Sequence, residues 1–178
     1  MFLMLVAAIG AQLRRFSTAQ QPLQPSQSGL YTVTQFYDGD TLSIAMNGAE
    51  EKVRLIGVDT PETHAPSKPL QCYGEAAASF TRNLIGTKTI RLESDPLNTN
   101  RDRYNRLLRY VYLPDNTLVN AEIIRQGYGF AYTSFPMTKA DDFRSLQRQA
   151  METKQGLWGS CQPEQNKYGS YTSNTVSP

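Results

Sequence analysis

The chain has 178 residues, 39% of them hydrophobic, which is enough for one domain with a buried core plus tails and short for two. Its formal net charge of +2 is compatible with a polyanionic partner but does not demand one. Two cysteines and one histidine fall short of the four ligands of a structural zinc site, and any Ser–His or Cys–His nucleophile would have to run through His64. Hydrolytic chemistry elsewhere in the chain would rest on carboxylates, arginine, tyrosine or a metal ion.

The opening "MFLMLVAAIGA" is too short to span a bilayer as a helix but has the length of a signal-peptide core followed by small residues. Residues 1–18 therefore read as a signal peptide or a short N-terminal anchor, although Arg14-Arg15 follow the apolar run rather than precede it. A secreted or extracellular protein is expected, with an outward-facing membrane-anchored one as the alternative. Residues 19–29, rich in Gln, Pro and Ser, read as a linker.

The folded part is expected to run from 30 to 161. "LYTVTQFY", "TLSIAM" and "EEKVRLIGV" have strand composition, and Asn47-Gly48 between the last two is a type I′ hairpin signal, so three consecutive antiparallel strands follow. "GEAAASFTRNLIG" reads as a short helix with Phe80 and Leu84 on one face and Gly86 at its end. "TKTIRLES" and "RLLRYVYL" resume strand character. Asn120 reads as the cap of "AEIIRQ", and Thr138 with Asp141 as a capping pair for a last long helix ending at Gly156. Strands first, with helices interleaved and trailing, predict an α+β domain whose antiparallel sheet curls into a small barrel. Residues 162–178, almost without large aliphatic side chains, are expected to be disordered.

Within that order, pairing across the Asn47-Gly48 hairpin brings Asp38 and Asp40 of "YDGDT" close to Asp59 of "VDTPE". Converging hard oxygens suit Ca²⁺ or Mg²⁺, and the Thr60 carbonyl could complete the shell, whereas each segment alone would pass for an ordinary turn. Arg54 lies inside a strand, on the face of Ile56 and Val58 in extended geometry. Its guanidinium needs an anion, supplied either by a carboxylate of the fold or from outside. Arg106 sits among Arg101, Arg103 and Arg109 with Tyr104 interleaved, a pattern that fits a solvated basic face or a phosphate-and-base contact surface.

Taken in order, "YDGDT", "VRLIGVDTPET", "YGEAAASF", "DRYNRLLRYVY", "VNAEIIRQGYGFA" and "GLW" resemble the staphylococcal nuclease, or thermonuclease, family from about Leu30 to Trp158. The resemblance implies a five-stranded OB-fold barrel with about three helices and Ca²⁺-dependent phosphodiester hydrolysis of DNA and RNA. It implies Asp40 and Asp59 as calcium ligands, helped by the carbonyl of Thr60 with Asp38 close by, and Arg54, Glu62 and Arg106 as catalytic residues. No protein partner is implied and a monomer is expected. Non-catalytic alternatives are an OB module that only binds nucleic acid, through residues such as Arg103 and Tyr104, and a surface protein with a structural Ca²⁺ loop.

Two departures from the family pattern bear on the site. Asn105 stands where Gly is common before the second arginine, and Asn tolerates positive φ. Tyr132 matches a nucleotide-stacking tyrosine, while a second one is replaced by Ser134 or shifted to Phe135. The cysteines are argued from the chain itself. Cys72 precedes the first helix, Cys161 follows the last, and an even count in an exported protein predicts a disulfide between them.

Overall fold

In the computed structural model residues 29–63 and 70–175 are described. The expected signal segment, nearly all of the linker, His64 and the last three residues lie outside the described residues. In chain order the elements are β1 (Leu30–Tyr31), β2 (Val33–Phe36), β3 (Thr41–Met46), β4 (Ala49–Leu55), β5 (Val58–Asp59), α1 (Gly74–Ile85), β6 (Ile90–Glu93) and β7 (Leu107–Tyr112). They continue with α2 (Val119–Arg125), β8 (Phe130–Ala131), α3 (Ala140–Glu152), α4 (Leu157–Ser160), β9 (Glu164–Gln165) and β10 (Tyr171–Thr172).

Asn47 and Gly48 both take positive φ, 52° and 79°. That is the geometry of the type I′ turn the Asn-Gly pair predicts, and it folds β4 back on β3 with Thr41 opposite Arg54. The main sheet has the order β1-β6-β7-β4-β3-β2. All its pairs are antiparallel except β4 with β7. Only Thr32 separates β1 from β2, so one bent strand pairs with β6 at one edge (Tyr31 opposite Ile90) and with β3 at the other (Val33 opposite Ile44). Counting it once, five strands curl into the expected α+β, OB-type barrel. Leu42, Ile44, Val53, Leu55, Ile90, Leu92 and Val111 fill its interior, with exposures of 1% or less.

The third predicted strand breaks at Ile56-Gly57. Gly57 has φ 73°, and a Cβ there would lie 2.4 Å from Met137 and 2.8 Å from Phe143, so the chain turns tightly under α3 before β5 begins. On α1 the buried face is Ala77, Ala78, Thr81 and Ile85. Phe80 and Leu84 flank the core instead, Phe80 stacking on Tyr128 with ring centroids 4.1 Å apart.

Both expected helix caps are corrected by long-range demand. Asn120 is the second residue of α2 and fully buried; its amide donates to the carbonyls of Ile56 (2.9 Å) and Arg109 (3.3 Å) and accepts from the Val111 N–H (2.9 Å). The Ile56 carbonyl and the Val111 N–H are thereby satisfied, and the Arg109 carbonyl, which also accepts the Ile56 N–H at 3.0 Å, gains a second donor. Thr138 makes no cap for α3: its N–H and hydroxyl both donate to Asp95 Oδ2, at 2.7 and 2.8 Å.

Asp95 is 1% exposed and also accepts from the Tyr110 hydroxyl (2.6 Å) and the Leu97 N–H (2.8 Å). Burial alone would raise its carboxyl, but these donors outweigh burial and hold it below its usual value of 3.8. A depressed folded value means stability fully present above about pH 4 and lost as the pH falls through that lower value. Asp95→Asn is expected to destabilise the domain by about 2–4 kcal/mol at neutral pH. In urea titrations the gap between wild type and variant should narrow as the pH drops below about 4; a constant gap would show that the ionised carboxylate is not what stabilises this layer.

The predicted disulfide between Cys72 and Cys161 is present and closes a separation of 89 residues. In the chain-entropy model such a loop contributes about 4–5 kcal/mol. The expectation of disorder beyond Cys161 is corrected for residues 162–175, where β9 and β10 form a hairpin. Aromatic packing replaces the missing aliphatic side chains: Tyr171 lies 6.1 Å from Phe130 and 5.1 Å from Trp158 between ring centroids. Among the described residues no helix is long and apolar enough to cross a membrane.

Candidate active site

The Asp38–Asp40 bend and the start of the loop after β5 meet as the hairpin register predicts. Asp38 Oδ1 accepts the N–H groups of Asp40 (2.9 Å) and Thr41 (2.6 Å), which turns the chain into β3. Asp40 is 4% exposed. Its Oδ2 accepts the N–H and the hydroxyl of Thr60 at 2.8 and 3.1 Å, and its Oδ1 accepts the Thr41 hydroxyl at 3.0 Å. Twenty residues of sequence are thus closed by one carboxylate.

Arg54 finds its anions inside the fold. Nη1 lies 2.7 Å from Asp40 Oδ1 and donates to the Val58 carbonyl at 2.7 Å, while Nη2 donates to Asp59 Oδ1 at 2.9 Å. Burial works against its charge, but Asp40, Asp59, Asp38 and Glu62 outweigh burial and raise its pKa above the ordinary value, so the guanidinium stays charged. Those four carboxylates exceed what one guanidinium neutralises. The imbalance shows at Asp38, where burial first and then the charge of Asp40 push the carboxyl up to about 7.

Such a surplus of hard oxygen donors suits a divalent cation. Among the described residues no group of three or more His, Cys, Asp or Glu side chains is arranged to hold a metal ion on its own. What the fold assembles is the Asp40–Arg54–Asp59 bridge with Thr60 and Asp38 against it.

Glu62 follows in the same loop, within the electrostatic field of Arg54. Its backbone is fixed on both sides by Gln71: the Glu62 N–H donates to Gln71 Oε1 (2.8 Å) and the Gln71 N–H donates to the Glu62 carbonyl (3.1 Å).

A second cluster forms in the turn before β7. Nε and Nη2 of Arg106 both lie 2.7 Å from Asp102 Oδ2, and Asp102 Oδ1 accepts the N–H groups of Tyr104 (2.9 Å) and Arg106 (3.0 Å). Asn105 takes φ 64°, the positive value expected of it. Tyr104 is 64% exposed, with the guanidinium carbons of Arg103 and Arg106 4.8 and 5.4 Å from its ring centre. Parallel pairing of β4 and β7 sets Leu108 opposite Arg54, so Arg106 stands just before the paired segment, two residues upstream of the partner of Arg54. Of the neighbouring arginines, Arg101 pairs with Glu51 at 2.8 Å, and Arg109, 4% exposed, is held by the backbone and side chain of Asn100.

Tyr132 is anchored to the loop after β4 by its N–H on the Gly57 carbonyl (2.9 Å), and its ring meets Phe135 edge-on at 5.9 Å. Ser134 faces Ser170 of the C-terminal hairpin at 3.3 Å rather than offering a ring. Sequence reasoning missed Asp102 and Gln71. Asp102 carried a readable signal in its i,i+4 spacing to Arg106; nothing local marked Gln71.

Comparison with known proteins gives the same outline. Residues 52–160 match the family model described as "Staphylococcal nuclease homologue". The chain is 36% identical to the thermonuclease of Staphylococcus intermedius over 164 residues, covering 88% of this chain and 94% of that protein. It is 33% identical to the thermonuclease of Staphylococcus hyicus, covering 89% and 95%. With the endonuclease YncB of Bacillus subtilis it shares 37% identity over 79% of this chain and 67% of that one. The barrel, the Asp40–Arg54–Asp59 bridge and this likeness over most of the length lead to one conclusion: the chain belongs to the staphylococcal nuclease family.

Proposed function

We infer that the chain is a nuclease that hydrolyses phosphodiester bonds of DNA and RNA in the presence of Ca²⁺. The observation that carries this reading is the Asp40–Arg54–Asp59 bridge, buried at Asp40 and open to solvent at Asp59, in a chain 33–37% identical to two thermonucleases and an endonuclease. Asp40 and Asp59, with the carbonyl of Thr60 and with Asp38 beside them, are the residues that would hold Ca²⁺. When bound, the ion supplies Lewis-acid polarisation of a phosphoryl oxygen.

The chain's own residues supply the rest. In-line attack by water gathers negative charge on the phosphoryl oxygens, and Arg54 and Arg106 donate to them from positions fixed by Asp40, Asp59 and Asp102. Glu62 accepts a hydrogen bond from the attacking water and aligns it. Tyr104 offers an exposed face for a base, Arg103 a charge for the backbone, and Tyr132 a further stacking ring. A disulfide-closed domain suits an oxidising compartment, which supports action outside the cytoplasm, and the reading requires no protein partner.

Plasmid DNA and single-stranded RNA incubated with the purified protein should be degraded with millimolar Ca²⁺ and remain intact in excess chelator. Binding without cleavage would make the chain a non-catalytic nucleic-acid module. Full cleavage in chelator would remove the metal from the mechanism.

A further inference from the structure

Among the described residues, the C-terminal tail reaches the loop that carries Glu62 through Gln71 and its neighbour Cys72. Thr175 bridges Gln71 in antiparallel register, the Cys72 N–H donates to the Asn174 carbonyl (2.8 Å), and the Ser173 hydroxyl donates to the Cys72 carbonyl (2.9 Å). Gln71 Nε2 donates to the Thr172 hydroxyl at 3.2 Å. A carboxamide has one donor end and one acceptor end, so holding the nitrogen on Thr172 turns Oε1 toward the Glu62 N–H. The opposite side of Glu62 is closed as well, since a Cβ at Gly74 would lie 2.4 Å from the Glu62 carbonyl oxygen. The Cys72–Cys161 disulfide ties the start of this tail to the same segment.

We propose that residues 162–175, tethered by the Cys72–Cys161 disulfide, form a clasp that positions Glu62 through Gln71. Gln71 is then a positioning residue, because its hydrogen bonds to Glu62 among the described residues are to the backbone, and the tail is part of the active-site scaffold. Glu62 lies outside any strand, and the bonds to its N–H and carbonyl both come from Gln71, whose side chain and backbone the clasp holds through Thr172 and Thr175. A misplacement of about 1 Å at such a group costs on the order of 10²-fold in rate. This inference rests on the catalytic reading of Glu62 given above.

The test is a double-mutant cycle on the intact protein, with kcat and KM measured on a defined single-stranded DNA at saturating Ca²⁺ and folding checked by circular dichroism. Gln71→Met keeps size and removes both amide bonds; kcat is expected to fall about 10- to 100-fold with KM within about threefold. In a Glu62→Gln background the same change should cost almost nothing further. The disulfide-free Cys72→Ala, Cys161→Ala pair should lower kcat in the same sense. Should Gln71→Met fail to fold, Thr172→Val at the exposed end of the clasp carries the test, with an expected loss of about 3- to 10-fold. A folded Gln71→Met protein with kcat within twofold of wild type, or an equal loss in both backgrounds, overturns the clasp. If Glu62→Gln alone leaves kcat intact, the catalytic reading of Glu62 fails and the clasp falls with it; if Glu62→Gln is crippled while Gln71→Met is not, only the clasp is lost.

Discussion

Replacing Arg54 by lysine is expected to lower the nuclease rate about 10²–10³-fold, the usual cost of losing one preorganised donor to a transition-state anion. The guanidinium holds Asp40, Asp59 and the Val58 carbonyl through two nitrogens, at 2.7–2.9 Å, and must still present donors to a phosphoryl group. A lysine concentrates its three donors on one nitrogen, so it can keep one of these contacts well or several poorly, and it cannot fork onto a phosphate. The same change reaches the fold, because Asp40 is buried and its one cationic contact among the described ion pairs is weakened. A drop of about 1–3 kcal/mol in urea-measured stability is expected. The rate loss exceeds what that drop explains as long as the variant remains folded at the assay temperature. A folded Arg54→Lys protein that cleaves DNA within a few-fold of wild type would show that Arg54 is a structural tie and not a donor to the substrate.

The convergence behind that prediction was legible in the sequence because it depends on a local device. A two-residue turn at Asn47-Gly48 sets Thr41 opposite Arg54, and from there Asp40 and the "VDTPE" segment have little freedom. The positive φ of Asn105 followed from the resemblance, since Asn tolerates the conformation of the glycine common at that place, and the disulfide followed from the even count of cysteines and the expected export. What escaped was long-range. Asn120 reads locally as a cap but serves carbonyls that include one 64 residues away, and Thr138 reads as a cap but answers Asp95, 43 residues distant. The tail after Cys161 reads as disordered by aliphatic content, yet its backbone pairs with Gln71 and Cys72 and its Tyr171 finds Phe130 and Trp158. Periodicity and composition register what a segment can bury alone; they do not register a partner a hundred residues away.

Asp40→Ala and Asp59→Ala should part company in stability while agreeing in activity. Asp40 is 4% exposed and answers the Thr60 N–H, two hydroxyls and Arg54, so removing it leaves a buried donor and a largely buried guanidinium short of an acceptor. A loss of about 3–5 kcal/mol is expected in chelator, where bound metal contributes nothing. Asp59 has a side chain 46% exposed, and its ion pair with Arg54 is partly wetted, so Asp59→Ala should change stability by no more than about 1 kcal/mol. If both are Ca²⁺ ligands, cleavage should fall more than about 10²-fold in each. Each should also lose the added stability that Ca²⁺ gives the wild type, which at a hundredfold excess over Kd is about 2.7 kcal/mol. Urea titrations with Ca²⁺ and with chelator, beside calorimetric titration of the metal, separate these terms. An Asp59→Ala protein that is still stabilised by Ca²⁺ and still cleaves DNA would remove Asp59 from the ligand set, whereas an Asp40→Ala protein as stable as wild type in chelator would mean that the bridge through Arg54 does not hold the barrel together at this corner.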